Sequence, residues 1–370
     1  MTMIPVYRPY HNELEMKYLQ EVIDSGWWGM GPKTSEFERR FSEYIGTGHA
    51  LGLNSATAAL HLALMCVGVK DAEVITPAMT FVSTNHAILY NGGIPVFCDV
   101  EPGNLNVTAE EIAKLITPRT KAIIVVHYGG YACDMDPIME LATENKLALI
   151  EDCAHACGGK YKGRMLGSIG DFGSFSFQAV KNLATGDGGM LTTDNDEWAA
   201  RVKKLRWVGI SKDTFDRGAG NSYNWFYDVT EAGFKYHMND IIAAIGLAQL
   251  EKLEWMNDRR RYWSDRYREA FGDIPEIQVP PVKDYMFSAC HNFVIKATRR
   301  DELRASLMEQ GITTGVHYYP NHLFDMYRPW YRKLPVTEKI WQELVTLPLF
   351  PDLAEADFTL ITTSIRDFYA

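Results

Sequence analysis

An α/β protein, with a mostly parallel central sheet in a large domain and a smaller C-terminal α/β domain, is the architecture this sequence predicts. Three observations carry the prediction. Between residues 50 and 193, short runs that are apolar almost throughout alternate with helical stretches, the pattern of strands buried on both faces. A long charged helical stretch follows at roughly 239–271. Beyond it a second, shorter strand–helix pattern starts at NFVIKA (292–297). These features divide the chain into 1–249 and 250–370, joined by that helix.

In order, Asn12 caps a helix from Glu13 to Ile23 that Gly26 ends. WWGMGP (27–32) is a turn, and a second helix runs from Thr34 to Tyr44. Trp27 and Trp28 either pack in the core or line the mouth of a ligand site. ALGL (50–53) is a strand that runs directly into the helix of NSATAALHLALMCVGV. EVITP (73–77), PVFCDV, KAIIVVHY and LALIEDC follow as strands, separated by helices ending at Ile88 and spanning Ala109–Ile116 and Asp136–Asn145. After NFVIKA comes a helix from Arg300 to Gln310, and Gly311–Tyr319 completes the small unit. The polar, aromatic stretch from Ser211 to Glu231 reads as a long functional loop.

The 370 residues are 46% hydrophobic and 23% charged, ordinary for a chain with a substantial core, and carry a net charge of −10. That charge argues against a nucleic-acid binder, which carries a basic stripe. Six cysteines (66, 98, 133, 153, 157, 290) form no CxxC pair, and several sit in apolar runs, so reduced thiols in a cytoplasmic protein are expected. No metal site is expected. The opening residues lack a signal-peptide pattern, and no apolar run reaches membrane-spanning length.

Chemistry concentrates in FGSFSFQAVKNLATGDGG (172–189), an alternating strand leading into a turn with one lysine, Lys181. Taken alone, this is more simply a surface lysine on a hairpin. In a small-residue, aromatic setting, however, desolvation favours the neutral amine that condenses with carbonyls. Ligands of parallel sheets gather at the carboxyl ends of the strands. That rule assembles Asn54–Thr57, Thr80 and Phe81, Asp152–His155 and Ser176–Lys181. SATAAL opens a helix whose N-terminal N–H groups suit an anion, and Asp152 ends a buried strand where a carboxylate needs a cationic or hydrogen-bonding partner. A phosphate cradle, an aromatic, a strand-end Asp and a desolvated Lys form the kit for pyridoxal phosphate.

The chain resembles the DegT-type sugar aminotransferases, pyridoxal phosphate enzymes of the aspartate aminotransferase-like fold. The similarity runs nearly end to end through SGWWGMGP (25–32), NSATAALHLAL (54–64), TPAMTFVSTNHAILYNGGIPVFCDV (76–100), IEDCAHACGGKYKGRMLGSIGDFGSFSF (150–177), GDGG (186–189), FKYHMNDIIAAIGLAQL (234–250), GVHYYP (315–320) and TLPLFP (346–351). The resemblance implies Lys181 as the Schiff-base lysine and the proton carrier. It implies Asp152 on the pyridine nitrogen, Phe81 stacked on the ring and His155 near the phenolic oxygen. Ala56, Thr57 and Ser176 would hold the phosphate. It also implies a homodimer with shared sites, in which Lys235, where many members have Asn, reaches the partner's phosphate; His237 stands where Arg is common. Trp27, His317, Tyr318 and the stretch Trp225–Tyr227 are candidate substrate contacts. The implied reaction is ping-pong: L-glutamate leaves its amino group as pyridoxamine phosphate, which aminates a keto-sugar nucleotide of the 4-keto-6-deoxyhexose kind, in amino-sugar or polysaccharide (O-antigen) biosynthesis. A sugar dehydratase or lyase, and a non-catalytic regulatory protein of the same fold, are the rival readings. A branch of the family with His in place of the lysine is disfavoured by Lys181.

Overall fold

The computed structural model describes residues 3–211 and 225–370, so most of the expected loop at 211–231 lies outside the described residues. The central sheet has seven strands. From one edge they are His49–Leu53, Gly189–Thr193, Phe172–Ser176, Ala148–Asp152, Thr120–Val126, Glu73–Pro77 and Ile94–Cys98. The last five pair in parallel, and Gly189–Thr193 runs antiparallel to both its neighbours. A parallel return after Ser176 would need a crossover helix. The chain between Ser176 and Gly189 has none, so it folds straight back. Two antiparallel pairings in succession restore the direction of His49–Leu53. The carboxyl ends of Leu53, Pro77, Asp152 and Ser176 therefore share one edge of the sheet.

Local signals place the helices around this sheet. The helix Glu13–Ser25 has a capping box, with Asn12 accepting from Leu14 N–H and Glu15 reaching back to Asn12 N–H, and Gly26 closes it at φ +68°. The turn after it is tied down from a distance. Asp240 accepts from the N–H groups of Gly31, Lys33 and Thr34 at 2.9–3.1 Å and from Thr34 Oγ1 at 2.7 Å, capping the helix Pro32–Ile45.

Two expectations change. The single helix at 239–271 is two, Asp240–Glu251 and Leu253–Phe271. Lys252 between them leaves helical geometry (φ −113°, ψ 5°), while its ammonium pairs with Glu15 and donates to Asn12 Oδ1. The helix expected over Ala109–Ile116 stops at Ala113, where the chain tightens into an i→i−3 bond from Leu115 N–H to Ile112 O.

Phe175 and Phe177, fully buried, pack on Phe37 and Phe41 from one face of their strand, which stabilises the fold by ~1.5–3 kcal/mol each. A second apolar core gathers Trp263, Tyr267, Phe271, Phe293 and Phe358, and Ile4 from the N-terminal segment joins it. Among the described residues no helix is long and apolar enough to cross a membrane.

Candidate active site

At the shared strand ends lies a cavity of about 510 Å³. Nine of the residues singled out in the sequence line it: Ala56, Thr57, Phe81, Asp152, His155, Ser176, Lys181, His317 and Tyr318. Alternation along each strand explains the aim of the sheet residues. In Phe172–Ser176 the phenylalanine at 175 enters the core, while Ser174 and Ser176 face the other way; Ser174 Oγ donates to Ala56 O at 3.2 Å. In Ala148–Asp152, Glu151 and Asp152 likewise point to opposite faces.

Asp152 is only 4% exposed. Thr84 Oγ1 donates to its Oδ2 at 2.8 Å and Ala154 N–H to its Oδ1 at 3.1 Å. Burial pushes the carboxyl up from its ordinary range, opposed by these two hydrogen bonds and by the charge of Lys181. Thr84 was not singled out in the sequence. The threonines at 80 and 84, spaced to meet on a helix and 2.8 Å apart through their hydroxyls, were the available signal.

Lys181 is half-buried and lines the same cavity, with its backbone N–H on Gln178 O. Among the described residues no side chain forms a hydrogen bond or ion pair with its ammonium. Burial lowers its pKa from 10.5 to about 8, opposed by the charge of Asp152. Next to it the helix Ala56–Val67 starts. Its cap, Ser55, accepts from Ala58 N–H at 3.1 Å, whereas the N–H groups of Ala56 and Thr57 take no acceptor among the described residues. Gly189 makes room for this end: a Cβ there would lie 2.5 Å from Ala56 N. Two free amide donors at a helix N-terminus, with Ser176 close by, form an anion cradle.

The facing wall is aromatic and neutral. Phe81, 57% exposed, stands 6.2 Å from the Tyr318 ring. His155 Nδ1 accepts from Gly129 N–H at 3.2 Å and its Nε2 lies 2.9 Å from Tyr318 Oη. His317 meets Thr346 Oγ1 at 2.7 Å and Tyr7 Oη at 3.2 Å, and its carbonyl accepts from Tyr128 Oη. Burial holds His155 and His291 well below the usual imidazole range and brings His317 down to about 4, with the charge of Lys181 adding to each shift. Tyr7 and His291 carry no local signal in the sequence; packing of the second core brings them here.

The remaining candidates lie elsewhere. Trp27 lines a second cavity of about 340 Å³ with Trp28, Gly29, Met30, Trp207 and His237. Lys235 is exposed beside it, with Nζ 3.3 Å from the centre of the Trp207 ring. Trp225, Phe226 and Tyr227 are exposed and line neither cavity. Sequence spacing also concealed a cluster of possible metal donors, His127, Glu151 and Cys153, all buried. Glu151 is already held there by His127 Nε2 and the N–H groups of Gly167, Ile169 and Gly170.

Comparison with known proteins bears on this arrangement. The model of the DegT/DnrJ/EryC1/StrS aminotransferase family matches residues 9–366. The chain belongs to this family. Its relatives include the spore coat polysaccharide biosynthesis protein SpsC of Bacillus subtilis, 39% identical over 98% of this chain and 96% of SpsC. The aminotransferase TlmJ from Streptoalloteichus hindustanus superimposes with a TM-score of 0.93 at 35% identity, covering 99% of this chain and 98% of TlmJ. Spr1654 from Streptococcus pneumoniae, in its pyridoxamine phosphate form, does so at 0.93 and 31% identity over 98% of both chains, and it is also known in a pyridoxal phosphate form. The family works with pyridoxal 5′-phosphate. The residues at hand fit that group: a free helix N-terminus for a phosphate, a buried carboxylate for a ring nitrogen, and an unpaired, partly desolvated amine.

Proposed function

We propose that this aminotransferase transfers an amino group from L-glutamate to a keto-sugar nucleotide, through one cavity loaded with pyridoxal phosphate. The observation that carries the reading is the Lys181 amine in one cavity with buried Asp152 and the N–H groups of Ala56 and Thr57, all three donors without an acceptor among the described residues. When bound, the cofactor supplies an electron sink that stabilises negative charge at the substrate carbon.

The chain's own residues do the rest. Ala56 N–H, Thr57 N–H and Ser176 Oγ would hold the phosphate. Asp152, its carboxylate fixed in place by Thr84, would hold the proton of the ring nitrogen. Phe81 would pack against the ring. Lys181, with a pKa near 8, both accepts and returns a proton near neutral pH, the condition for one group to serve as base and acid. His155, His317 and Tyr318 border the space left for the substrate. Lys235 and Trp27 lie outside this cavity, as residues donated to the site of a homodimer partner would.

SpsC's role in polysaccharide biosynthesis supports a sugar substrate, and six free thiols support a cytoplasmic setting. The test is to load the protein with pyridoxamine phosphate and challenge it with keto-sugar nucleotides, reading product mass. A product one amino-for-oxo exchange away from the substrate supports the reading. Loss of water or ammonia without exchange overturns it.

A further inference from the structure

Three histidines line the cavity, His155, His291 and His317, and only His291 has a ring nitrogen without a partner among the described residues. Asn182, the residue after Lys181, decides which nitrogen that is. Its Nδ2 donates to Ala289 O and to Asn257 Oδ1, each at 2.7 Å. A backbone carbonyl only accepts, so the amide nitrogen must face Ala289 and the amide oxygen must face His291 Nδ1, 3.0 Å away. Asn257 is oriented in the same sense, because its own Nδ2 donates to Cys157 O at 3.0 Å. His291 Nδ1 therefore carries the hydrogen that Asn182 Oδ1 accepts. Burial, reinforced by the charge of Lys181, keeps the ring neutral, and Nε2 is left as a bare lone pair.

The ring is held in this orientation. Tyr7 stacks on it at 5.5 Å and His155 lies 4.5 Å from it. Tyr7 Oη gives its hydrogen to Asn292 Oδ1, so none is left for His291. His291 borders the cavity, whereas Asn182, on the Nδ1 side, does not. A ligand that fills the cavity strips water from Nε2, and a buried acceptor without a donor is costly. The carboxylates of an amino-acid donor only accept and cannot serve it. A sugar brings hydroxyls, each able to give a hydrogen. We propose that His291 Nε2 accepts a hydrogen bond from a hydroxyl of the sugar substrate, with Asn182 as the positioning residue that holds the lone pair toward the cavity. This rests on the keto-sugar reading and deepens it, by naming the side chain that selects a hydroxyl.

Two measurements test it. Diethyl pyrocarbonate acylates unprotonated imidazole nitrogens; the purified full-length protein is treated with it and modified peptides are mapped by mass. His291 is expected to react ahead of His155 and His317, whose ring nitrogens are all engaged. An unmodified His291 overturns the assigned lone pair. In the second measurement, wild type, His291→Phe and His291→Gln are loaded with pyridoxamine phosphate. Each is challenged with the keto-sugar nucleotide that the wild type aminates and with analogues in which single hydroxyls are replaced by hydrogen. His291→Phe is expected to raise KM about ten- to a hundredfold, with kcat much less affected. His291→Gln recovers most of the loss, since a carboxamide keeps a donor for Asn182 and an acceptor for the sugar. Against one deoxy analogue the wild type and His291→Phe converge. An unchanged KM in His291→Phe, or an equal loss against every analogue, overturns the proposal. So does an equal loss in the half-reaction with glutamate. If His291→Phe fails to fold, His291→Asn replaces it, keeping the bond to Asn182 but falling short of the position of Nε2. A wild type that aminates no keto-sugar nucleotide fails the functional reading and the proposal with it, whereas a failure confined to the His291 variants leaves that reading standing.

Discussion

The sheet-end wall of the cavity, built by Asp152, Lys181 and the start of the Ala56–Val67 helix, meets an occupant with ionisable groups and free backbone dipoles. The opposite wall, built by Tyr7, His291, His317 and Tyr318, meets it with hydroxyls and imidazoles that burial keeps neutral. Both walls are polar, yet only the first changes charge near neutral pH. Chemistry that moves protons is thus confined to one side. The other offers hydrogen-bond geometry that pH leaves alone, the arrangement suited to recognising hydroxyl groups.

The strongest way to break this division is Lys181→Ala. Removing the amine of the charged wall is expected to cost ~10²–10⁴-fold or more in turnover. The cofactor should remain bound as the free aldehyde, visible by absorbance and by loss of the covalent mass increment after borohydride. Near-native multiple turnover would show that proton movement does not belong to Lys181. Asp152→Asn keeps the shape and removes the charge. Roughly 10²–10³-fold of turnover should be lost while the covalent link to Lys181 persists, measured by steady-state kinetics beside the same mass increment. Normal turnover would make Asp152 a structural cap only.

Legibility in the sequence follows the same division. The charged wall is local. Asp152 closes an apolar strand, Lys181 follows an alternating one, and SATAAL announces a helix start, so each could be placed from its neighbours. The parallel sheet was legible for the same reason, from apolar runs and the helices between them. The neutral wall is non-local: Tyr7, His291 and the His317–Tyr318 pair come from three distant segments joined by the second core. No short pattern encodes that meeting, and only the GVHYYP resemblance pointed to part of it. Thr84 lay between these cases, readable from its spacing to Thr80 but without a visible partner. The break at Lys252 was hidden because its cause, the pairing with Glu15, is 237 residues away in the chain.

A pH series sharpens the comparison further. Lys181 has its pKa lowered to about 8, so its neutral, reactive form grows as pH rises. The rate of loading apo-protein with pyridoxal phosphate should climb about tenfold per pH unit below 8 and level off above it. His317, already neutral above about 4, contributes no step in this range. A loading rate that is flat between pH 6 and 9 would remove the basis for the charged wall.

The smallest expected effect concerns a third side of the cavity, the one a partner subunit would supply. Lys235 is exposed, rests on the Trp207 ring, and has no carboxylate paired with it among the described residues. Desolvation lowers its pKa somewhat, and an approaching phosphate would reverse that shift. If Lys235 reaches the partner's cofactor, Lys235→Ala should weaken cofactor affinity by up to about tenfold. That is below the full ~1.5–3 kcal/mol of a charge-assisted bond, because solvent screens an exposed ammonium. Turnover at saturating cofactor should be unchanged, since neither wall is touched, and the difference from wild type should shrink in high salt. Dilution provides the independent check: a site completed by a partner loses cofactor as the dimer dissociates, so retention should fall with protein concentration. Affinity unaffected by the substitution, together with retention independent of dilution, would mean that the two walls described above hold the cofactor within a single chain.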